Sequence, residues 1–332
     1  MDRLTANINR TDIWKEDSWK SVELYNDWFM KFAPSAFRDA RRGVLRQVRN
    51  AFSSTQNLTD ICVNTIKCAP NALSVLRMAT APPLAQDRLA GLANCNKSLI
   101  KTLEKGQLPN RMTEETLSLH LDRIASVINS MIDTEIFPWM EGKNSTPQQL
   151  SRSSAIVADR LTGVLSDPII RNSQEKRQFD IISDYLDSKG YEHIAASFSD
   201  FSKMPELSYS FHVNIPVNIT TEKMINIPAD VAIMRRKEFG DFPLLVECKS
   251  AGDFTNTNKR RKEEAIKAAQ LKSTYGTEIQ FVLFLCGYFD TGYLGYEAAE
   301  GIDWIWEHRI DDFSKLGVWI KQKYYVSESK KS

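Results

Sequence analysis

The stretch Ile279–Cys286, Ile-Gln-Phe-Val-Leu-Phe-Leu-Cys, constrains the fold of this chain more than any other. An apolar run of this length without polar alternation describes a strand covered on both faces, and such strands belong to sheets packed between helices. The segments around it agree. A helix is expected over Gln174–Ser188, one or two strands over Leu207–Ile219 with Pro216 as the break, then strands over Ala229–Met234 and Pro243–Cys248. A long polar helix follows from about Asn256 to Thr274, and Trp304–Phe313 reads as helix-like. Helix, strands, helix, strand is the order of a mixed α/β (α+β) layer, not of a sandwich or barrel.

Before this region the pattern is helical. Val22, Tyr25, Phe29 and Phe32 recur at three and four spacing, and Pro34 interrupts the segment they define. Further helices are expected over Ala36–Phe52, Thr59–Cys68, Asn71–Met78, Leu84–Ala93, Asn96–Lys105, Thr113–Ile136 and Ser151–Leu165, separated by Pro- and Gly-bearing turns. With 332 residues and roughly 100–200 residues per domain, two domains are expected: a helical one over 1–170 and a sheet-bearing one over 171–332. The last six residues read as a frayed tail.

The net charge of +1 excludes affinity for a polyanion by bulk charge alone, so any such affinity depends on where basic groups cluster. The five cysteines are odd in number and form no C-x-x-C pair, which argues against a disulfide framework or zinc ribbon and fits a reducing cytoplasm. His120, His193, His212 and His308 show no ligand spacing. No signal-like or membrane-length apolar run and no nucleotide-binding G-x-x-x-x-G-K-[ST] loop is present, so neither a membrane nor a nucleotide cofactor is expected.

An acid followed two residues later by Lys occurs four times, at Glu141/Lys143, Asp187/Lys189, Glu247/Lys249 and Glu328/Lys330. Only Glu247 and Lys249 extend a buried strand, whose two-residue period points both to one face. Opposite charges on a core strand are costly unless paired or bound to a metal. Pro228-Ala229-Asp230 opens another apolar strand, and the polar connection Arg235–Asp241 with Gly240 suits an antiparallel return that sets Asp230 beside Glu247. A structural ion pair at a sheet edge is the alternative on local pattern alone.

Pro228, Asp230, Glu247 and Lys249 together resemble the PD-(D/E)xK nuclease signature. The segments Leu24–Pro34, Leu76–Pro83 and Cys286–Asp290 resemble the XamI-type restriction endonucleases more narrowly, a likeness running from about Trp14 to Phe313. The resemblance implies a restriction-endonuclease-like mixed sheet flanked by helices. It implies a Mg²⁺-dependent type II enzyme that cuts double-stranded DNA at a short palindrome, acts as a homodimer and has a cognate DNA methyltransferase in the same system. The sequence associated with the namesake is GTCGAC. By this likeness Asp230 and Glu247 ligate Mg²⁺, Lys249 orients or deprotonates water, and Glu175 is the candidate for an additional acid. A repair or junction-resolving nuclease on the same core, and a DNA-binding protein without catalysis, are the competing readings.

Lys259-Arg260-Arg261-Lys262 could meet phosphates, or form a solvated helix face with Glu263 and Glu264. Asn256 and Asn258 could cap that helix or reach base edges. Arg38, Arg41, Arg42, Arg46 and Arg49 largely share one face of an N-terminal helix, suited either to tracking phosphates or to lying in solvent or a dimer contact.

Overall fold

A computed structural model describes residues 4–142, 144–195, 201–220, 223–255 and 257–319. The chain divides into two compact units, residues 1–31 with 172–332 and residues 32–171. The division expected from the sequence differs in its first segment, because residues 1–31 pack with the sheet. There Asp303 accepts the backbone N–H groups of Asn7 and Ile8, each at 3.0 Å, and Trp14 meets Trp304 edge-on at 5.2 Å.

The helical unit takes the remainder of α1 (Trp14–Ser54), then α2 (Val63–Cys68), α3 (Leu73–Met78), α4 (Gln86–Leu92), α5 (Lys97–Glu104), α6 (Glu114–Met131) and the first part of α7 (Pro147–Ser188). Its core gathers Val44, Val48, Leu76, Leu121, Ile124 and Leu161. Leu76–Pro83 lies at its centre: buried Arg77 pairs with Glu104 at 2.5 Å, and Arg160 holds the Met78 carbonyl at 3.0 Å. That segment therefore does structural work here.

Two prolines expected to end helices do not. α1 runs through Pro34, and α7 runs through Pro168 to join what reads as two helices in the sequence. A helical proline leaves the carbonyl four residues earlier without its partner. Pro34 and Met30, and likewise Pro168 and Val164, are exposed, so water can satisfy those carbonyls.

Among the described residues the sheet unit holds six strands in chain order: β1 (Glu192–His193), β2 (Ser208–Thr220), β3 (Lys223–Met234), β4 (Leu244–Ala251), β5 (Gln280–Gly287) and β6 (Asp303–Trp306). β2, β3 and β4 are antiparallel; β4, β5 and β6 are parallel, linked by the crossover helices α8 (Thr257–Tyr275) and α9 (Thr291–Ala299). β2 passes unbroken through Pro216, which lies beyond the two-residue pairing with β1, where a missing N–H need not cost a ladder bond.

Every residue of β5 is buried. Leu283 and Leu285 pack with Trp304, Trp306 and residues Ala268, Leu271 and Leu294 of α8 and α9. Val282 and Phe284 pack on the other face with Ile305, Phe313, and Ile182 and Leu186 of α7. Trp304 and Trp306 thus alternate with Ile305 along a strand, which replaces the helix expected there; a short 3₁₀ run, Glu307–Leu316, follows.

Candidate active site

β3 and β4 pair with Val231 opposite Val246, so one further step of the antiparallel register sets Asp230 opposite Glu247. Opposed residues of an antiparallel pair share a face. Glu247 and Lys249 stand in phase with Leu245 and Ala251, which belong to the core under α8. The structure therefore brings Asp230, Glu247 and Lys249 together on the α8 side of the sheet.

The contacts are specific. The Cys248 N–H donates to Asp230 Oδ2 at 2.8 Å. Lys249 Nζ lies 3.0 Å from Glu247 Oε1, and Lys267 of α8 pairs with Glu247 Oε2. Lys249 Nζ also lies 3.5 Å from Glu264 Oε1, again from α8. Gln178 of α7 donates to the Lys249 and Phe284 carbonyls at 3.4 and 3.3 Å, tying the ends of β4 and β5 from the opposite face.

Burial first, and then the charge of Glu247, push the Asp230 carboxyl up to about 6, although the Cys248 N–H, Lys267 and Lys249 pull the other way. Burial works against the Lys249 ammonium, yet Glu247 and Glu264 outweigh it and hold its pKa above the ordinary lysine value. Desolvation, followed by the charges of Asp230, Glu247 and Glu175, drives the Cys248 thiol well up, so it is no thiolate ligand.

The other sequence candidates are distributed unevenly. Glu175 lies in the interior of α7, not at a helix start, and its side chain is exposed. Among the described residues no group of three or more His, Cys, Asp or Glu is arranged to hold a metal, and the Glu175 charge acts on the Cys248 thiol next to Glu247. Arg261 lies over the Tyr296 ring at 3.6 Å, and Lys262 is exposed. Asn256 lies outside the described residues, as do the side chains of Asn258, Lys259 and Arg260. Arg38, Arg41, Arg42, Arg46 and Arg49 are all exposed on α1, with Arg42, Arg46 and Arg49 away from buried Val44 and Val48; Arg42 pairs with Asp39 at 2.9 Å and Arg41 with Asp159.

Two contributors escaped the sequence reading in this role, Glu264 and Lys267. Glu264, Ala268 and Leu271 are all buried and stand at four and three spacing, so an acid occupies the apolar stripe of α8. That misplaced charge was the available signal. The other family-like segments also meet at the strand ends, where Tyr288 Oη donates to Asn26 Oδ1 at 2.9 Å; just before the first of them, Ser21 Oγ accepts the Gly287 N–H at 2.7 Å. Tyr25 packs so closely that a Cβ on Gly252 would stand 2.7 Å from its hydroxyl.

A mixed sheet covered by helices, with paired carboxyls and a lysine on its central strands, defines the restriction-endonuclease-like α+β fold. The model of the family described as XamI restriction endonuclease matches residues 56–306. The type II restriction enzyme SalI of Streptomyces albus G is 46% identical over 314 residues, 94% of this chain and 99% of that one. The type II restriction enzyme XamI of Xanthomonas campestris pv. amaranthicola is 25% identical over 208 residues, covering 61% of this chain and 67% of its own. The chain belongs to the XamI restriction endonuclease family. No helix among the described residues is long and apolar enough to cross a membrane.

Proposed function

We propose that this protein is a type II restriction endonuclease that cuts both strands of DNA at a short palindrome with Mg²⁺ held by Asp230 and Glu247. The observation that carries this reading is the half-buried pairing of those two carboxyls beside Lys249, in a chain 46% identical to a type II restriction enzyme along 94% of its length. The donor set fits the ion. Mg²⁺ takes one or two protein carboxylates and keeps several waters, and the raised Asp230 pKa marks a carboxylate whose charge its neighbours leave under-compensated.

When bound, Mg²⁺ would neutralise charge on the phosphate and acidify a water. The chain's own groups do the rest. Lys249, whose pKa is raised, remains an ammonium at neutral pH, so it donates to water or a phosphate oxygen rather than accepting a proton. Lys267 supplies a second positive charge at Glu247. Exposed Arg38, Arg42 and Arg46, with Arg261 and Lys262, supply contacts to the DNA backbone.

A palindromic target implies a homodimer, since two-fold DNA matches a two-fold protein, and a cognate methyltransferase protects the host's copies of the site. The first sequence to test is GTCGAC. The protein is incubated with unmethylated plasmid and phage DNA in Mg²⁺, and the fragment ends are sequenced. Discrete fragments sharing one terminal sequence are expected; a smear of ends, as a repair nuclease would leave, or intact DNA would overturn the proposal.

A further inference from the structure

Behind Lys249 lies a group of buried acids that the chemistry above does not use. Glu264 on α8 and Glu297 on α9 are 1% and 0% exposed, and Tyr293, one turn before Glu297, is 2% exposed. The Tyr293 hydroxyl donates to Glu264 Oε2 at 2.7 Å. Glu264 Oε1 is buried without a hydrogen bond and faces the Lys249 ammonium at 3.5 Å.

Two interacting carboxyls cannot both ionise in such a place at small cost. Burial first, and then the charge of Glu264, raise Glu297 to about 8, which makes Glu297 the protonated member at neutral pH. The Lys249 ammonium and the Tyr293 hydroxyl both address Glu264.

We infer that Glu264, backed by Tyr293 and Glu297, is a positioning residue that fixes the Lys249 ammonium for phosphodiester hydrolysis. The inference rests on the proposed nuclease reading. In the structure Lys249 stands between Glu247 at 3.0 Å and Glu264 at 3.5 Å. Glu247 is the partner that a cation would claim. Glu264 is the counter-charge that stays, because it is held from the other side by α9.

The test compares Glu264→Gln, Glu297→Gln and Glu297→Ala with the wild type in the full-length protein. Single-turnover cleavage is measured at saturating enzyme, and DNA affinity is measured separately without divalent metal. Glu264→Gln should cut at least tenfold more slowly while its DNA affinity stays within twofold of wild type. Glu297→Gln should cut within threefold of wild type, because the amide replaces a neutral carboxyl, whereas Glu297→Ala should lose tenfold or more. Wild-type cutting by Glu264→Gln, or a loss matched by an equal loss of affinity, overturns the inference alone. If Glu264→Gln fails to fold, the variants at 297 decide: a slow Ala beside a fast Gln supports the inference, and equal rates overturn it. A wild type that does not cut would overturn the nuclease reading and, with it, this inference.

Discussion

Replacing Asp230 with Asn should stabilise the metal-free protein, and only above a definite pH. The carboxyl stands at about 6 in the fold against an ordinary 3.8. Below the ordinary value it is neutral in both folded and unfolded chains, so it contributes nothing. As pH rises from about 4 to about 6 the unfolded chain releases the proton while the folded chain keeps it, and stability falls through that window by up to about 3 kcal/mol. Above about 6 the deficit is constant. Asn escapes it and keeps an oxygen for the Cys248 N–H, though a neutral acceptor forfeits about 1 kcal/mol of that bond. The net gain is about 2 kcal/mol at pH 8, or about 4–8 °C in Tm for a unit of this size. Thermal unfolding of wild type and Asp230→Asn in a chelator, at pH 4.5 and pH 8, measures it. An Asn variant no more stable at pH 8, or one equally favoured at both pH values, would refute the electrostatic account of this pair.

Glu247→Gln and Lys249→Ala should each reduce cleavage by at least about a hundredfold with DNA binding retained, read by single-turnover cleavage beside a gel shift; Lys249→Arg should not restore it, since a guanidinium cannot replace a compact ammonium between two carboxylates. Replacing Arg38, Arg42 and Arg46 together with Gln should lower the slope of log affinity against log salt by about 3, measured by fluorescence anisotropy on a short duplex. Gly287→Ala should destabilise the sheet unit by about 2–4 kcal/mol, because φ there is +99° and a Cβ would stand 2.1 Å from the Ala251 carbonyl oxygen; calorimetry checks it.

The central strands were legible in the sequence because their chemistry is local. Ile279–Cys286 has no polar face, so it had to be covered on both sides, and the two-residue period alone put Glu247 and Lys249 on one side of β4. Asp230 joined them because a polar, glycine-bearing connection returns the chain antiparallel. What the sequence hid was decided by surroundings. Pro34 and Pro168 break no helix because solvent takes up the carbonyls they leave, and exposure cannot be read from the residues themselves. Trp304 and Trp306 passed for a helix because Asp303, Glu307, Asp311 and Asp312 near them suited an amphipathic one, whereas Asp303 is buried against the N–H groups of residues 7 and 8. Glu264 was masked by the charged residues around it, though its place in the stripe with Ala268 and Leu271 was visible. The acid expected at a helix start, Glu175, lies within α7 because that helix begins some twenty-eight residues earlier, at Pro147.

The most direct test of the account is the anomalous difference density of Mn²⁺ in crystals of the protein bound to its DNA site. One peak in contact with a carboxylate oxygen of Asp230 and one of Glu247, with Lys249 Nζ beside it, is the expected result. Density bound by other residues, with none between those two carboxylates, would contradict it.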